Sequence, residues 1–120
     1  MYSRIATGAM FDALYGYDFL ARPVKVIPKT AVGMPEISDD FRTFTVKIKP
    51  GIYFADDPAF GGKKRELTAQ DYVYSYKRAF DPKNKSPILS DLQELQLLGM
   101  DGLRQAAEKP GAKFNYDKEI

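Results

Sequence analysis

Residues 41–49 carry the clearest pattern in the chain, an alternation of apolar and polar side chains that is strict from Thr43 to Lys49. Phe44, Val46 and Ile48 fall on one side, and threonines and lysines fall on the other. Successive side chains of a strand point to opposite faces, so the pattern predicts a strand with one face in water. Before it, residues 36–40 offer a turn after a short strand, and Pro50-Gly51 ends the predicted strand. We therefore expect an antiparallel hairpin.

The second strong pattern is helical and covers residues 68–81. Thr68 is a favourable N-cap, and Asp71 follows three residues later as in a capping box. Helical spacing predicts a buried stripe, formed by Ala69, Tyr72, Val73, Tyr76, Ala79 and Phe80. The opposite face, expected in water, carries Gln70, Tyr74, Lys77 and Arg78. A hairpin and an amphipathic helix together predict an α+β fold, with an antiparallel sheet packed against helices.

Weaker patterns predict the remaining elements. A short helix is expected over residues 4–14, followed by Gly16 as its stop signal. An extended segment is expected over residues 24–28, because a proline disfavours helix at the residue before it. Helices are also expected over residues 87–92 and 101–109, with a strand or loop between them.

The composition excludes several kinds of chemistry. The 120 residues include no His, Cys or Trp, so the chain lacks the usual ligands of zinc, copper and iron–sulfur sites. A Ser-His-Asp or Cys-His nucleophile system is excluded for the same reason. Eighteen basic and 16 acidic residues give a net charge of +2, which argues against a nucleic-acid partner.

Both ends of the chain lie within patterned sequence, and the first residues lack the apolar segment of a signal peptide. We therefore expect residues 1–120 to be a single subdomain cut from a longer protein.

Carboxylates between residues 56 and 66 indicate one alternative function. Asp56, Asp57 and Glu66 lie near Tyr53 and Phe54 in the sequence. Such a group could act as an acid–base pair or bind calcium, although the spacing of an EF-hand is absent. A small carboxylate-based hydrolase is therefore one alternative. The adjacent segment 61–65, GGKKR, lacks the other residues of a Walker loop and is expected to be a solvated loop tip.

The tyrosines indicate a second alternative. Tyr72 and Tyr76 are expected in the core, with their hydroxyl groups near its rim. Tyr2, Tyr15 and Tyr17 lie close to the first predicted helix and strand, where a binding surface could use them. A free-standing interaction module is the function that this arrangement would suit.

Several segments, taken in order, resemble family 5 of the bacterial extracellular solute-binding proteins. These are receptors that serve ABC importers of oligopeptides, dipeptides and nickel. The resemblance is carried by FDALYGYD at 11–18, IPKTA at 27–31, FTVKIKPGIYF at 44–54 and LTAQDYVYS at 67–75. RAFDP at 78–82 and Ser86-Pro87 complete the order. The loop at residues 56–66 departs from the family because it is longer, with Asp57-Pro58 where Asp-Gly is common.

The resemblance implies a fragment of the N-terminal lobe of a two-lobed periplasmic, or extracellular and lipid-anchored, receptor. The whole protein is expected to bind a peptide-like solute and to contact the membrane permease of an ABC importer. The remaining lobe of the same polypeptide would be a neighbour of this segment, and neither catalysis, a cofactor nor a metal is implied.

The same resemblance implies ligand-binding residues. It places Ser86, Pro87 and Ile88 at the edge of the cleft, and Tyr2 near the ligand side of the first segment. Because such receptors enclose their ligand between two lobes, we expect the isolated chain to bind weakly or not at all.

Overall fold

Strands and helices occupy different parts of the chain. The computed structural model describes residues 11–120, and the chain divides into two units, Met1–Ala69 and Gln70–Ile120. The described strands all belong to the first unit, whereas the described α-helices belong to the second, apart from Ala69. The α+β class expected from the sequence is confirmed.

The first hairpin pairs strand β1, Tyr15–Tyr17, with strand β2, Val26–Pro28. The strands are antiparallel, with Tyr15 opposite Pro28 and Tyr17 opposite Val26. The extended segment expected at residues 24–28 is confirmed in its β2 portion. Of the helix expected over residues 4–14, residues 11–14 are not helical, and the other positions, with Tyr2, lie outside the described residues.

The second hairpin pairs β3, Glu36–Ile37, with β4, Phe44–Thr45, and confirms the expected antiparallel arrangement. The strand expected over residues 41–49 is shorter than predicted. Phe41 lies in the turn with φ of 56°, and its N–H donates to the carbonyl oxygen of Ser38 at 2.9 Å. A residue with positive φ cannot continue a strand. Pairing resumes beyond β4 at an isolated bridge between Ala31 and Ile48.

The second unit is helical. Helix α1 spans Ala69–Phe80, α2 spans Leu89–Glu94, α3 spans Met100–Ala107, and a 3₁₀ helix spans Pro82–Asn84. The predicted bounds of α1 and α3 differ from these by one or two residues at each end. Helix α2 lies two residues further along the chain than expected, with Pro87 and Ile88 in the turn before it. None of the described helices is long and apolar enough to cross a bilayer.

The core of the second unit is a cluster of four buried side chains, Phe80, Met100, Leu103 and Phe114. The buried stripe predicted for α1 is partly wrong. Ala79 and Phe80 are buried as expected, but Lys77 is buried too, whereas Val73 and Tyr76 remain more than a third exposed. The residues that cover α1 lie after it in sequence and approach the side that carries positions 77 and 80, which are one turn apart.

Candidate functional site

The predicted ligand-binding residues Ser86, Pro87 and Ile88 form one turn of the second unit. The turn lies between the 3₁₀ helix Pro82–Asn84 and α2. Ser86 is half-buried, whereas Pro87 and Ile88 are exposed. The N–H of Leu89 donates to the carbonyl oxygen of Ser86 at 3.3 Å, which fixes the turn against the start of α2. Tyr2, the fourth predicted site residue, lies outside the described residues.

Asp81 anchors the chain just before this turn. It is buried, and its Oδ2 accepts a hydrogen bond from the Tyr116 hydroxyl at 2.6 Å. Its Oδ1 accepts from the N–H of Lys83 at 3.0 Å, which caps the 3₁₀ helix. The residues that lead into the turn are thereby held to the C-terminal segment by a side-chain pair.

The electrostatic setting of Asp81 favours its charged form. Burial is the largest single influence and raises the pKa of this carboxyl, whereas hydrogen bonds from Tyr116 and from the N–H of Lys83 lower it. The charges of Lys83 and Arg78 act in the same direction, so the pKa of Asp81 lies below its ordinary value. Burial and the hydrogen bond to Asp81 both raise the pKa of Tyr116.

Lys77 provides a second link to the C-terminal segment. Its side chain is buried, and its Nζ donates to the carbonyl oxygens of Tyr116 at 2.7 Å and Lys118 at 2.8 Å. Backbone carbonyls can satisfy a buried amino group that would otherwise be costly to remove from water. The spacing of residues in α1 gave no sign of this role, because it placed Lys77 on the face expected in water.

A small groove lies in the first unit, away from the predicted residues in sequence. Its volume is about 180 Å³, and it is lined by Val32, Gly33, Met34, Glu36, Thr45 and Lys47. Lys47 Nζ lies 2.6 Å from Glu36 Oε1, and this hydrogen bond and the opposite charge lower the pKa of Glu36 and raise that of Lys47. The groove is smaller than the roughly 300–1,000 Å³ of pockets that enclose drug-sized ligands. By itself it is too small to enclose a peptide.

Sequence comparison identifies the family of the chain. The profile described as bacterial extracellular solute-binding proteins, family 5 Middle, matches residues 25–118. The chain belongs to this family.

Two further comparisons concern a curated relative and the solved structures. Protein XP55 of Streptomyces lividans is 28% identical over 95 residues, which make up 79% of this chain. The same residues are 16% of Protein XP55, so the chain spans about a sixth of the length of that relative. No solved structure matches the chain significantly.

The family 5 assignment favours a binding function over the hydrolase alternative, and two of the three carboxylates of that alternative, Asp57 and Glu66, have structural partners. Asp57 caps the 3₁₀ helix Pro58–Phe60, with its Oδ1 accepting from the N–H of Ala59 at 2.8 Å. Glu66 Oε1 accepts from the N–H of Gly51 at 2.5 Å. Within residues 11–120, no group of three or more acidic side chains is arranged to hold a metal ion.

Cation–π contacts also stabilise the loop at residues 56–66. The Arg65 guanidinium carbon lies 4.7 Å from the centre of the Phe54 ring and 5.9 Å from that of Phe60. The segment 61–65 is exposed, as the sequence led us to expect for a solvated loop tip. The loop at residues 56–66 is therefore stabilised by contacts of Arg65 with Phe60 within the loop and with Phe54 just before it.

The acid stability of the second unit should depend on Asp81. The folded-state pKa of Asp81 is below that of the unfolded chain, near 3.9. Its stabilising contribution is thus present above about pH 4 and is lost as the pH falls through the folded pKa. Asp81→Asn should lower the free energy of unfolding at pH 7 by about 1–2 kcal/mol and flatten its decline in acid. Urea unfolding followed by far-ultraviolet circular dichroism between pH 7 and 2 measures both effects.

Asp117→Asn is the matched control, because Asp117 is exposed in the same unit. It should leave the stability at pH 7 within about 0.5 kcal/mol of the original. If the free energy of unfolding declines with the same slope in acid for the Asp81→Asn variant and the original chain, the role given to Asp81 is contradicted.

Proposed function

We propose that this chain is part of a receptor that captures peptide-like solutes outside the cytoplasm and delivers them to an ABC importer. The observation that carries the proposal is the match of residues 25–118 to the family 5 solute-binding profile. The family is one of binding proteins, and no catalytic step is proposed. The chain would be one subdomain of the N-terminal lobe, with the ligand enclosed between this lobe and the remaining one.

The turn formed by Ser86, Pro87 and Ile88 is the ligand-contacting part that we propose for the described chain. Two of its side chains are exposed, and Ile88 retains 44% of its accessible surface. An exposed apolar side chain beside a half-buried hydroxyl suits a peptide, which offers both apolar side chains and polar backbone groups. The anchoring of Asp81 to Tyr116 supports this use of the turn, since a fixed contact surface loses less entropy on binding. Tyr2 would complete the set from the start of the chain.

The proposal also specifies location and partners. The whole receptor would be periplasmic, or extracellular and held by a lipid anchor, and the permease of the importer would be its membrane partner. Ligand enclosure by two lobes implies that this segment alone has little affinity.

The binding test compares the isolated chain with the longer polypeptide encoded by its reading frame. Calorimetry with a set of short peptides should show binding to the longer polypeptide and little or none to residues 1–120. In the longer polypeptide, Ile88→Ala should weaken peptide affinity by about tenfold, because it removes buried apolar contact.

Leu98→Ala is the matched control, because Leu98 is a large aliphatic residue of the same unit that is 90% exposed. It should leave peptide affinity unchanged. Tight peptide binding by residues 1–120 alone would contradict the need for a second lobe. Stop codons directly before and after the coding sequence of residues 1–120 would contradict the proposal that the chain is a fragment. Equal peptide affinity of the Ile88→Ala variant and the original protein would show that the turn is not part of the binding surface.

A further inference from the structure

The loop that closes the first hairpin exposes several large apolar side chains. We call residues 18–25, between β1 and β2, the first hairpin tip. Phe19, Leu20 and Val24 are 89%, 83% and 71% exposed, and Tyr17 at the end of β1 is 72% exposed. Single exposed apolar residues are common, but several within one short loop indicate a contact surface.

The first hairpin tip is ordered by its own hydrogen bonds. The N–H of Asp18 donates to the carbonyl oxygen of Lys25 at 2.8 Å, which extends the strand pairing by one step. Asp18 Oδ1 accepts from the N–H of Leu20 at 3.0 Å, and Arg22 Nη1 donates to the carbonyl oxygen of Ala21 at 2.8 Å. The apolar side chains therefore extend from a loop whose backbone is already held in place.

The charges of this tip are mainly positive. Arg22 and Lys25 are exposed, and the single acidic residue of the tip, Asp18, is half-buried and uses one oxygen within the loop. Apolar side chains flanked by cations are the combination that binds an anionic bilayer surface. Each Lys or Arg near such a surface is attracted to it, and the long side chains can place their charge at the lipid phosphates.

The second hairpin offers a contrast within the same unit. Its turn also exposes an aromatic residue, Phe41, at 74%. There the neighbours are Asp39, Asp40 and Arg42, so acidic residues outnumber basic ones. An anionic surface would repel this turn, whereas it would attract the first hairpin tip.

We propose that the first hairpin tip is a membrane-contact element that binds the surface of anionic lipid bilayers. Phe19, Leu20 and Val24 enter the headgroup region, and Arg22 and Lys25 lie at the level of the lipid phosphates. The inference does not depend on the proposed solute, but it requires that the rest of the polypeptide leave the tip exposed. It rests on exposure, loop order and charge at residues 18–25.

The lack of tryptophan in the chain provides a direct probe. Phe19→Trp places a single tryptophan at the first hairpin tip, and Phe41→Trp places one at the second. With vesicles of equal parts phosphatidylglycerol and phosphatidylcholine, the emission of the Phe19→Trp variant should shift to shorter wavelength and be quenched by brominated lipid. Vesicles of phosphatidylcholine alone should produce a much weaker change, and the Phe41→Trp variant should not respond to either.

The unmodified chain provides a second measurement. It should co-sediment with the anionic vesicles, with an affinity that falls as salt rises. Leu20→Asp and Lys25→Gln should each weaken this binding, the former by about tenfold or more because it removes apolar contact and adds a repelled charge. Circular dichroism establishes that each variant is folded.

Four results would overturn the proposal. They are no co-sedimentation of the folded unmodified chain, equal responses of the two tryptophan variants, and unchanged binding in the Leu20→Asp variant. The fourth is a short-wavelength emission of the Phe19→Trp variant in the longer polypeptide before vesicles are added. That result would show that another part of the protein covers the tip.

Discussion

Replacing Phe80 by alanine is expected to lower the free energy of unfolding of the second unit by about 3–5 kcal/mol. Phe80 is only 1% exposed and lies among Met100, Leu103 and Phe114. The substitution loses the burial of an aromatic ring and leaves a cavity that the surrounding side chains fill only in part. Urea unfolding followed by far-ultraviolet circular dichroism measures the effect, since that signal reports on the helices.

Phe19→Ala is the matched control for this experiment, because it removes the same ring from a position that is 89% exposed. Its effect should be within about 0.5 kcal/mol. A loss of less than about 1 kcal/mol in the Phe80→Ala variant would contradict the position of Phe80 at the centre of the core.

Replacing Lys77 by methionine should lower the free energy of unfolding by about 2–3 kcal/mol. Methionine keeps a long apolar stem but cannot donate to the carbonyl oxygens of Tyr116 and Lys118, which the Lys77 amino group now reaches at 2.7 and 2.8 Å. The C-terminal segment should then open more often than the rest of the unit. Hydrogen exchange of the amides of Asp117 and Lys118 detects that opening, whereas urea unfolding gives the total loss.

Lys113→Met provides the comparison, because Lys113 is an exposed lysine of the same unit. It should change neither the stability nor the exchange of residues 117 and 118. A Lys77→Met variant as stable as the original, or more stable, would show that burying the amino group costs as much as its hydrogen bonds contribute.

Local patterns predicted the positions of the main elements well. Capping and helical spacing located α1 to within a residue, and alternation located the second hairpin. Alternation overestimated β4, because it reports which side chains could face a core and contains no information on backbone dihedrals. The interruption before Ile48 was therefore not predicted, whereas Phe41 already departs from the alternation, because it falls on the side of the threonines and lysines.

The candidate site could be predicted only in its local part. Ser86, Pro87 and Ile88 were predicted as ligand-binding residues from a recognisable order of motifs, and that role stays a prediction. The Tyr116 hydroxyl that bonds Asp81, and the carbonyl groups that bond Lys77, lie at least 35 positions away in sequence. No spacing rule connects such residues, and the burial of Lys77 contradicts the simplest interpretation of an amphipathic helix.

The same long separations determine how the second unit can fold. The helical backbone hydrogen bonds of α1 are local, so the helix can form within about a microsecond. The side-chain bonds from Lys77, in contrast, require closure of a loop of 39 to 41 residues. Docking of residues 114–118 onto α1 is therefore expected to be late, after α2 and α3 have shortened the distance. Interactions that form late mainly slow unfolding. The amino group of Lys77 should thus act chiefly on the lifetime of the folded unit, with little influence on the rate at which it is reached.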